Sequence, residues 1–398
     1  MSREESRVQT MFSGKNVIEF PPSSRKVNTR MAINFQGHIT QDRRLKVGVI
    51  GCGSHSFRNV YPTLQFAPIE LVATCDLDGE KAKAYARQFG ALASYTSVDE
   101  MLTRDDIEGV LIITNYDERG RPRYPDLAVK SMQAGKHVWI EKPPAATVAD
   151  IDRIARAETE SGKVFMVGLK KMFSPANEKA ARLMQEPDFG EVRLASFQYP
   201  TAVPTQDEMK RYLGGERIQI CVGFCDHLCH PMAVILRLMG KPVTLHYTRH
   251  AQDGGAVATL TFGNGAIASL LLLGSAPRSG GMEFTQVYSS KGRRIVVENN
   301  LRVHYFRDVS GGVYGATPDF YEGDANAGSL TWEPEFSLGQ LYNKGLFIHG
   351  YYHELAAFAE TIFAGKRPLR GNVEDARAVT RIFESFAEGP DKLISLND

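Results

Sequence analysis

Two stretches of the chain carry residue types that could take a proton from a hydroxyl and steady the resulting alkoxide. In HVWIEKPP at 137–144 an apolar run ends in Glu141 and Lys142, and Pro143 and Pro144 fix the chain after them. A lysine held there can donate to a substrate hydroxyl and stabilise the alkoxide that develops as hydride leaves carbon. Equally, Glu141 and Lys142 could be an ion pair that caps the strand. The second stretch, CVGFCDHLCHPM at 221–232, gathers Asp226, His227 and His230 among Cys221, Cys225 and Cys229. On a helix Asp226 and His230 share one face. Histidine suits proton removal near neutral pH, and an acidic neighbour can orient it or bind another hydroxyl. Proline favours a first helical turn and disfavours helix in the residue before it, so a regular helix is expected to begin at Pro231 with His230 at its entrance. The C-x3-C-x3-C spacing matches no usual zinc site, so the cysteines read as small buried hydrophobes and no metal is expected.

A third stretch, GCGSHS at 51–56, directly follows the apolar run LKVGVI at 45–50. Gly51 meets the need for a tight turn, and Gly53 lets backbone approach a pyrophosphate whose charge rests on the amides of the next helix. Ser54 and His55 complete the turn as candidate contacts, and Ser56 stands where a third glycine or alanine is usual. A second apolar run ends in Asp76, where a carboxylate can accept from ribose hydroxyls and repel a 2′-phosphate. NAD is therefore expected rather than NADP. The alternative for Asp76 is a turn residue acting with Asp78 and Gly79.

These residues need a scaffold, and the patterning supplies one. Short apolar runs at 45–50, 69–75, 109–114, 137–141 and 163–169 alternate with amphipathic segments at 79–89, 97–103, 125–134 and 148–161. That alternation predicts a doubly wound α/β fold with a parallel sheet, covering 45–172 as a Rossmann dinucleotide-binding domain. Thr147 is a plausible N-cap for the last helix. From 173 to 398 the rhythm changes to a helix at 174–186, a strand at 191–199 and a helix ending at Gly240. Strand-like runs follow, separated by Gly263-Asn264-Gly265 and Lys291-Gly292, then helices at 351–365 and 373–389. This predicts a second α/β domain with a mostly antiparallel open sheet. Residues 1–44 are polar and aperiodic, an arm that is either a free tail or ordered against a neighbouring subunit or the cofactor.

The 398 residues contain 47 Lys plus Arg against 46 Asp plus Glu, so no general attraction to nucleic acid is expected. Five cysteines are too few for a disulfide scaffold and suit a reducing compartment. The longest apolar candidate, AIASLLLLG at 266–274, reads as a strand, no membrane span is expected, and the N-terminus lacks an apolar signal region. A cytoplasmic location follows as the expectation.

Taken in order, LKVGVIGCGSHS, the strand ending CDLD, AGKHVWIEKPPA, VFMVGLKKMFSP and FCDHLCH resemble the Gfo/Idh/MocA oxidoreductase family over about residues 45–390. The resemblance implies an NAD(P)-binding Rossmann domain joined to an α/β domain whose sheet often forms an oligomer interface, here a dimer or tetramer. It implies oxidation or reduction of a hydroxyl or ketone on a sugar, cyclitol or related polyol. It makes Lys142 the motif lysine, His230 the proton acceptor, Asp226 the motif aspartate, and Lys171 a neighbour of a substrate-contacting basic position. Thr114, Asn115 and Glu141 join the candidate cofactor contacts, and Tyr124 and His227 the candidate substrate contacts. His227, Leu228, Pro231 and Ala233 depart from the family pattern. So does the loop TNYDERGRPRYP at 114–125, whose Arg119, Arg121 and Arg123 could bind a substrate anion or belong to a solvated loop or subunit contact. The same site would also serve redox-neutral glycoside cleavage or epimerisation on one bound NAD, and the same fold a non-enzymatic cofactor sensor.

Overall fold

A computed structural model of the chain describes residues 43–276, 282–307, 328–334 and 343–397, all within one compact unit, Phe35–Asp398. The expected arm lies outside the described residues apart from Arg43 and Arg44.

The first sheet has six parallel strands: β1 (Leu45–Ile50), β2 (Ile69–Cys75), β3 (Ala93–Tyr95), β4 (Gly109–Ile112), β5 (His137–Glu141) and β6 (Phe165–Gly168). Their order is β3-β2-β1-β4-β5-β6. The order reverses between β1 and β4, so the carboxyl ends of those strands border a crevice, the usual ligand edge of an open α/β sheet. The central strands are apolar throughout because helices cover both faces; all four residues of β4 are buried. Helix Gly79–Phe89 starts at Asp78, whose side chain accepts from the amides of Glu80 and Lys81. Helix Val148–Ser161 starts at Thr147, which accepts from the Asp150 amide. β3 has no counterpart in the sequence reading, since Ala93-Ser94-Tyr95 is too short and too polar to show a period.

The second sheet has nine strands: β7 (Val192–Tyr199), β8 (Pro242–Arg249), β9 (Ala256–Phe262), β10 (Ile267–Leu272), β11 (Phe284–Ser289), β12 (Arg294–Glu298), β13 (Arg302–Arg307), β14 (Gly328–Trp332) and β15 (Ile394–Ser395). They run β14-β13-β12-β11-β7-β10-β9-β8-β15, with only the β7–β10 pairing parallel. Gly265 and Gly292 take positive φ in the turns joining β9 to β10 and β11 to β12. One face packs inward through Ala195, Phe197, Tyr199, Leu270 and Val287, and alternate positions point outward.

The long helix Gln219–Met239 lies in the core, with 13 of its side chains buried. It runs unbroken through Pro231, which corrects the expectation of a start at that residue. Proline removes one backbone donor, but packing along both halves of this helix outweighs the loss. It is the one helix among the described residues long and apolar enough to cross a membrane, and 67% of its most apolar window is buried inside the protein. Four helices are shorter than expected, among them Val98–Leu102 for 97–103 and Tyr351–Phe363 for 351–365. The one expected at 174–186 covers Pro175–Leu183, and the one expected at 373–389 covers Val373–Ser385 before a 3-10 turn.

Candidate functional site

The turn after β1 is built around two different demands on glycine. Gly51 has φ +109°, and a Cβ there would lie 1.8 Å from the carbonyl oxygen of Ile113, so no other residue fits. Around Gly53 a Cβ would meet nothing within 4 Å, which leaves its backbone open to an approaching group. Buried Ser56 replaces the third glycine by bonding inward. Its Oγ accepts from the Gly53 amide at 3.0 Å and lies 2.8 Å from the Gly53 carbonyl oxygen. Asp76 closes the turn from β2: Oδ2 accepts from the Cys52 amide at 2.7 Å and Oδ1 from the Asp78 amide at 2.9 Å. Exposed Ser54 receives Arg58 Nη2 on its Oγ at 2.9 Å. At the end of β4 the hydroxyl of Thr114 is buried with no hydrogen-bond partner, and Asn115 beside it is exposed. The open amide edge at Gly53, the carboxylate of Asp76 and the unsatisfied Thr114 hydroxyl fit an adenine dinucleotide lying across the switch point.

Two charged residues leave the end of β5 in different directions. Glu141, 4% exposed, pairs with His55, whose Nε2 lies 2.9 Å from Oε1. Burial would raise the Glu141 pKa, but the hydrogen bond and charge of His55 outweigh it and hold the carboxyl below its usual value. Lys142, joined to Pro143 by a cis peptide bond, reaches the long helix, where its Nζ donates to Asp226 Oδ1 at 2.7 Å. Tyr116 donates to the same oxygen at 2.8 Å. Burial alone would lower the Lys142 pKa; Asp226 and Glu141 overcome it and keep the ammonium above its ordinary range.

His230 lies one helical turn beyond Asp226, so the helix sets it beside the Lys142 pair. The hydrogen bonds of Asp226 go to Lys142 and Tyr116, and none among the described residues reaches His230. The His230 ring packs against Tyr199 with centroids 5.7 Å apart and opens on a cavity of about 200 Å³. Burial first, then the ammonium groups of Lys171, Lys142 and Lys170, push its pKa well below the usual histidine value. The imidazole is therefore neutral and ready to accept a proton.

Lys170, Lys171, Tyr199, Glu283, Asn299 and Asn300 form much of the cavity wall. Lys171 pairs with Glu283 and lies 4.8 Å from the centre of the Tyr199 ring. Burial lowers its pKa to about 8 even with Glu283 opposing the change. Lys170 donates to the Tyr351 hydroxyl at 2.7 Å. His227 is exposed, with Nδ1 3.1 Å from the Tyr199 hydroxyl.

Other candidates sit elsewhere. Tyr124 is 5% exposed, and its hydroxyl donates to the Thr114 carbonyl at 3.1 Å, which ties a helix start to the end of β4 rather than offering a substrate contact. The arginines of the 114–125 loop do not converge on an anion site. Arg121 Nη2 donates to the Leu213 carbonyl at 2.7 Å, at the end of helix Gln206–Leu213, and Arg123 pairs with Glu118. A guanidinium is drawn there by unsatisfied helix-end carbonyls and their negative dipole. All five cysteines are buried thiols, and no cluster of His, Cys, Asp or Glu among the described residues is arranged to hold a metal. Sequence reading did not single out Tyr116, Lys170, Tyr199 or Glu283. The basic pair in GLKKMFSP was the one available signal, because the other three come from elements that meet only on folding.

Residues 45–169 match the family described as "Oxidoreductase family, NAD-binding Rossmann fold". The chain is 28% identical over 134 residues to 4-carboxy-2-hydroxymuconate-6-semialdehyde dehydrogenase of Sphingobium sp., covering 34% of this chain and 41% of that protein. It is 29% identical over 152 residues to inositol 2-dehydrogenase of Salmonella typhimurium, covering 37% of this chain and 43% of that one. These matches span under half of the relatives' lengths. A dehydrogenase structure from Chromobacterium violaceum superposes with a TM-score of 0.71 at 21% identity, over 87% of this chain and 95% of that one, which extends the likeness of fold through both sheets. Over residues 45–169 the chain is similar to the Gfo/Idh/MocA oxidoreductases, a family with an NAD-binding Rossmann fold.

Proposed function

We propose that this protein is an NAD-dependent dehydrogenase acting on a secondary hydroxyl, or in reverse a ketone, of a sugar, cyclitol or similar polyol. The observation that carries the reading is the Lys142–Asp226 ion pair one helical turn from a neutral His230 that opens on a cavity. The turn at Gly51 and Gly53 takes the pyrophosphate, and Asp76 takes the adenosine ribose. The negative charge of Asp76 disfavours a 2′-phosphate there. When bound, NAD supplies the hydride acceptor.

The chain's own residues handle the proton and the charge. A neutral imidazole nitrogen of His230 accepts the hydroxyl proton. The Lys142 ammonium donates to the same oxygen as it becomes an alkoxide, and Asp226 keeps that ammonium protonated and aimed. Thr114, Asn115 and Glu141 border the cofactor, with His55 holding the Glu141 carboxylate in place. Lys171 and His227 border the substrate.

The test is a panel of inositols, aldoses and their acids, each offered with NAD and with NADP and followed by nicotinamide absorbance. Wild type should form NADH with at least one polyol and favour NAD. Lys142→Ala should lower kcat roughly 100-fold or more while NAD affinity changes little. Failure of every panel member to reduce NAD would remove the proposal.

A further inference from the structure

The wall of the cavity opposite the long helix holds a polar network that proton and hydride transfer leave unused. Glu283, directly before β11, has its Oε2 bound by Lys171 and by Asn300 Nδ2, the latter at 2.7 Å. Asn300 is held in turn by Asn177, whose Nδ2 donates to its Oδ1 at 2.8 Å. Asn299 Oδ1 accepts from the Glu283 amide at 2.8 Å. Asn299 and Asn300 both take positive φ in the turn from β12 to β13, which brings both side chains to the wall. Glu283 Oε1 has no hydrogen-bond partner among the described residues and its side chain keeps 26% of its exposure, so a rigidly held acceptor faces the cavity.

Among the described residues, the charges lining the cavity and beside it are balanced. Three ammonium groups, Lys142, Lys170 and Lys171, lie among three carboxylates, Asp226, Glu141 and Glu283. His230 is neutral, and burial pushes the carboxyl of fully buried Glu354 well above its usual pKa. Arg302, two residues beyond Asn300, pairs with Glu298 and Glu333, and Arg121 and Arg123 are bonded elsewhere. A carboxylate or phosphate on the substrate would therefore meet Glu283 with no uncompensated cation among the described residues to offset it, and burying an unmatched charge is costly. A hydroxyl would meet an acceptor in Glu283 and donors in Lys171 and Asn300. The cavity volume of about 200 Å³ is below the ~300–1,000 Å³ of sites for drug-sized ligands, which suits a single small ring or chain.

We propose that the substrate is an uncharged polyol and that Glu283 determines specificity, accepting from a hydroxyl remote from the reacting carbon and excluding acids by its charge. This rests on the dehydrogenase reading above for the reaction, though not for the binding contact.

The experiment pairs neutral polyols with the corresponding sugar acids, using the full chain loaded with NAD. Wild type should prefer the polyols in kcat/KM by roughly tenfold or more. Glu283→Gln leaves Lys171 without its counter-charge; it should raise polyol KM roughly tenfold with little change in kcat, and shift the acid-to-polyol ratio toward the acids. Glu283→Asp keeps the charge with a shorter reach, so it should raise polyol KM and still exclude acids. NAD affinity and the melting temperature of each variant check that the fold is intact. A wild-type preference for acids, or an unchanged ratio in Glu283→Gln, overturns the proposal. Calorimetric titration of polyol into the NAD-loaded protein separates the two readings. Polyol binding weakened by Glu283→Gln without any NADH formation would keep Glu283 and remove the redox reading. NADH formation with the ratio unmoved would do the reverse.

Discussion

Asp226 decides how Lys142 behaves. The lysine sits in a site where burial favours the neutral amine, and it stays charged because one carboxylate oxygen lies 2.7 Å away and Glu141 adds a second negative charge. Asp226→Asn removes the nearer charge while keeping the shape. Burial then outweighs the remaining partner, and the Lys142 pKa falls from above its ordinary value to below it. An ammonium that must donate to the alkoxide is lost as pH rises through its pKa, so the basic limb of kcat/KM should move to lower pH, with kcat reduced at neutral pH. A pH-rate profile of the variant checks this; a basic limb at the wild-type position would show that Asp226 does not control the lysine. The same change keeps an amide oxygen that can accept from Tyr116 but breaks a largely buried ion pair, at a stability cost of about 3–5 kcal/mol by the usual measure.

Among the elements, the loop between β4 and helix Tyr124–Gln133 acts as a brace. Arg121 caps helix Gln206–Leu213 through the Leu213 carbonyl, and Tyr212 of that helix donates back to the Gly120 carbonyl at 2.9 Å. Gly120 has φ +75°, a left-handed conformation that suits glycine in a tight turn. Arg121→Ala should cost about 1–3 kcal/mol of stability through the lost charged hydrogen bond, seen as a lower melting temperature. Substrate KM should stay within about twofold, since a structural brace contributes little to a binding free energy. A large rise in KM with an unchanged melting temperature would return the arginine to the substrate.

For the molecule as a whole, the outer face of the nine-stranded sheet has no covering layer among the described residues. Leu194 pairs across strands with Ile267 on one side and Tyr288 on the other, and these side chains are 53%, 43% and 37% exposed. Neighbouring positions on that face are small and polar, including Ser196 and Ser269, whose hydroxyls lie 3.1 Å apart. Contiguous apolar area on an open sheet face suits a second sheet. We expect a homo-oligomer joined by this face, a dimer or tetramer in light scattering, and Leu194→Glu with Ile267→Lys should yield a smaller species. A monomer in the unsubstituted protein would rule this out.

Local pattern was enough to read much of the protein. The five-strand rhythm after residue 45, the Gly51 turn, the carboxylate at Asp76 and the Glu141-Lys142-Pro143 run are legible because each depends on neighbours close in the chain: hydrophobic period, backbone conformation and strand ends. Helix limits at Gly79–Phe89 and Val148–Ser161 were legible for the same reason, the second also through its cap at Thr147. Pro231 misled, because a local preference for a helix start lost to core packing on both sides of it. The loop arginines carried no sign of whether they face a ligand or a helix end. The partners that shape the site come from far apart: Tyr116 and Lys142 on Asp226, Glu283 on Lys171, Tyr199 beside His230. The hydrogen-bonded pairings among these bring together groups separated by 84 to 112 residues, and only the packing of two sheets around one long helix decides them.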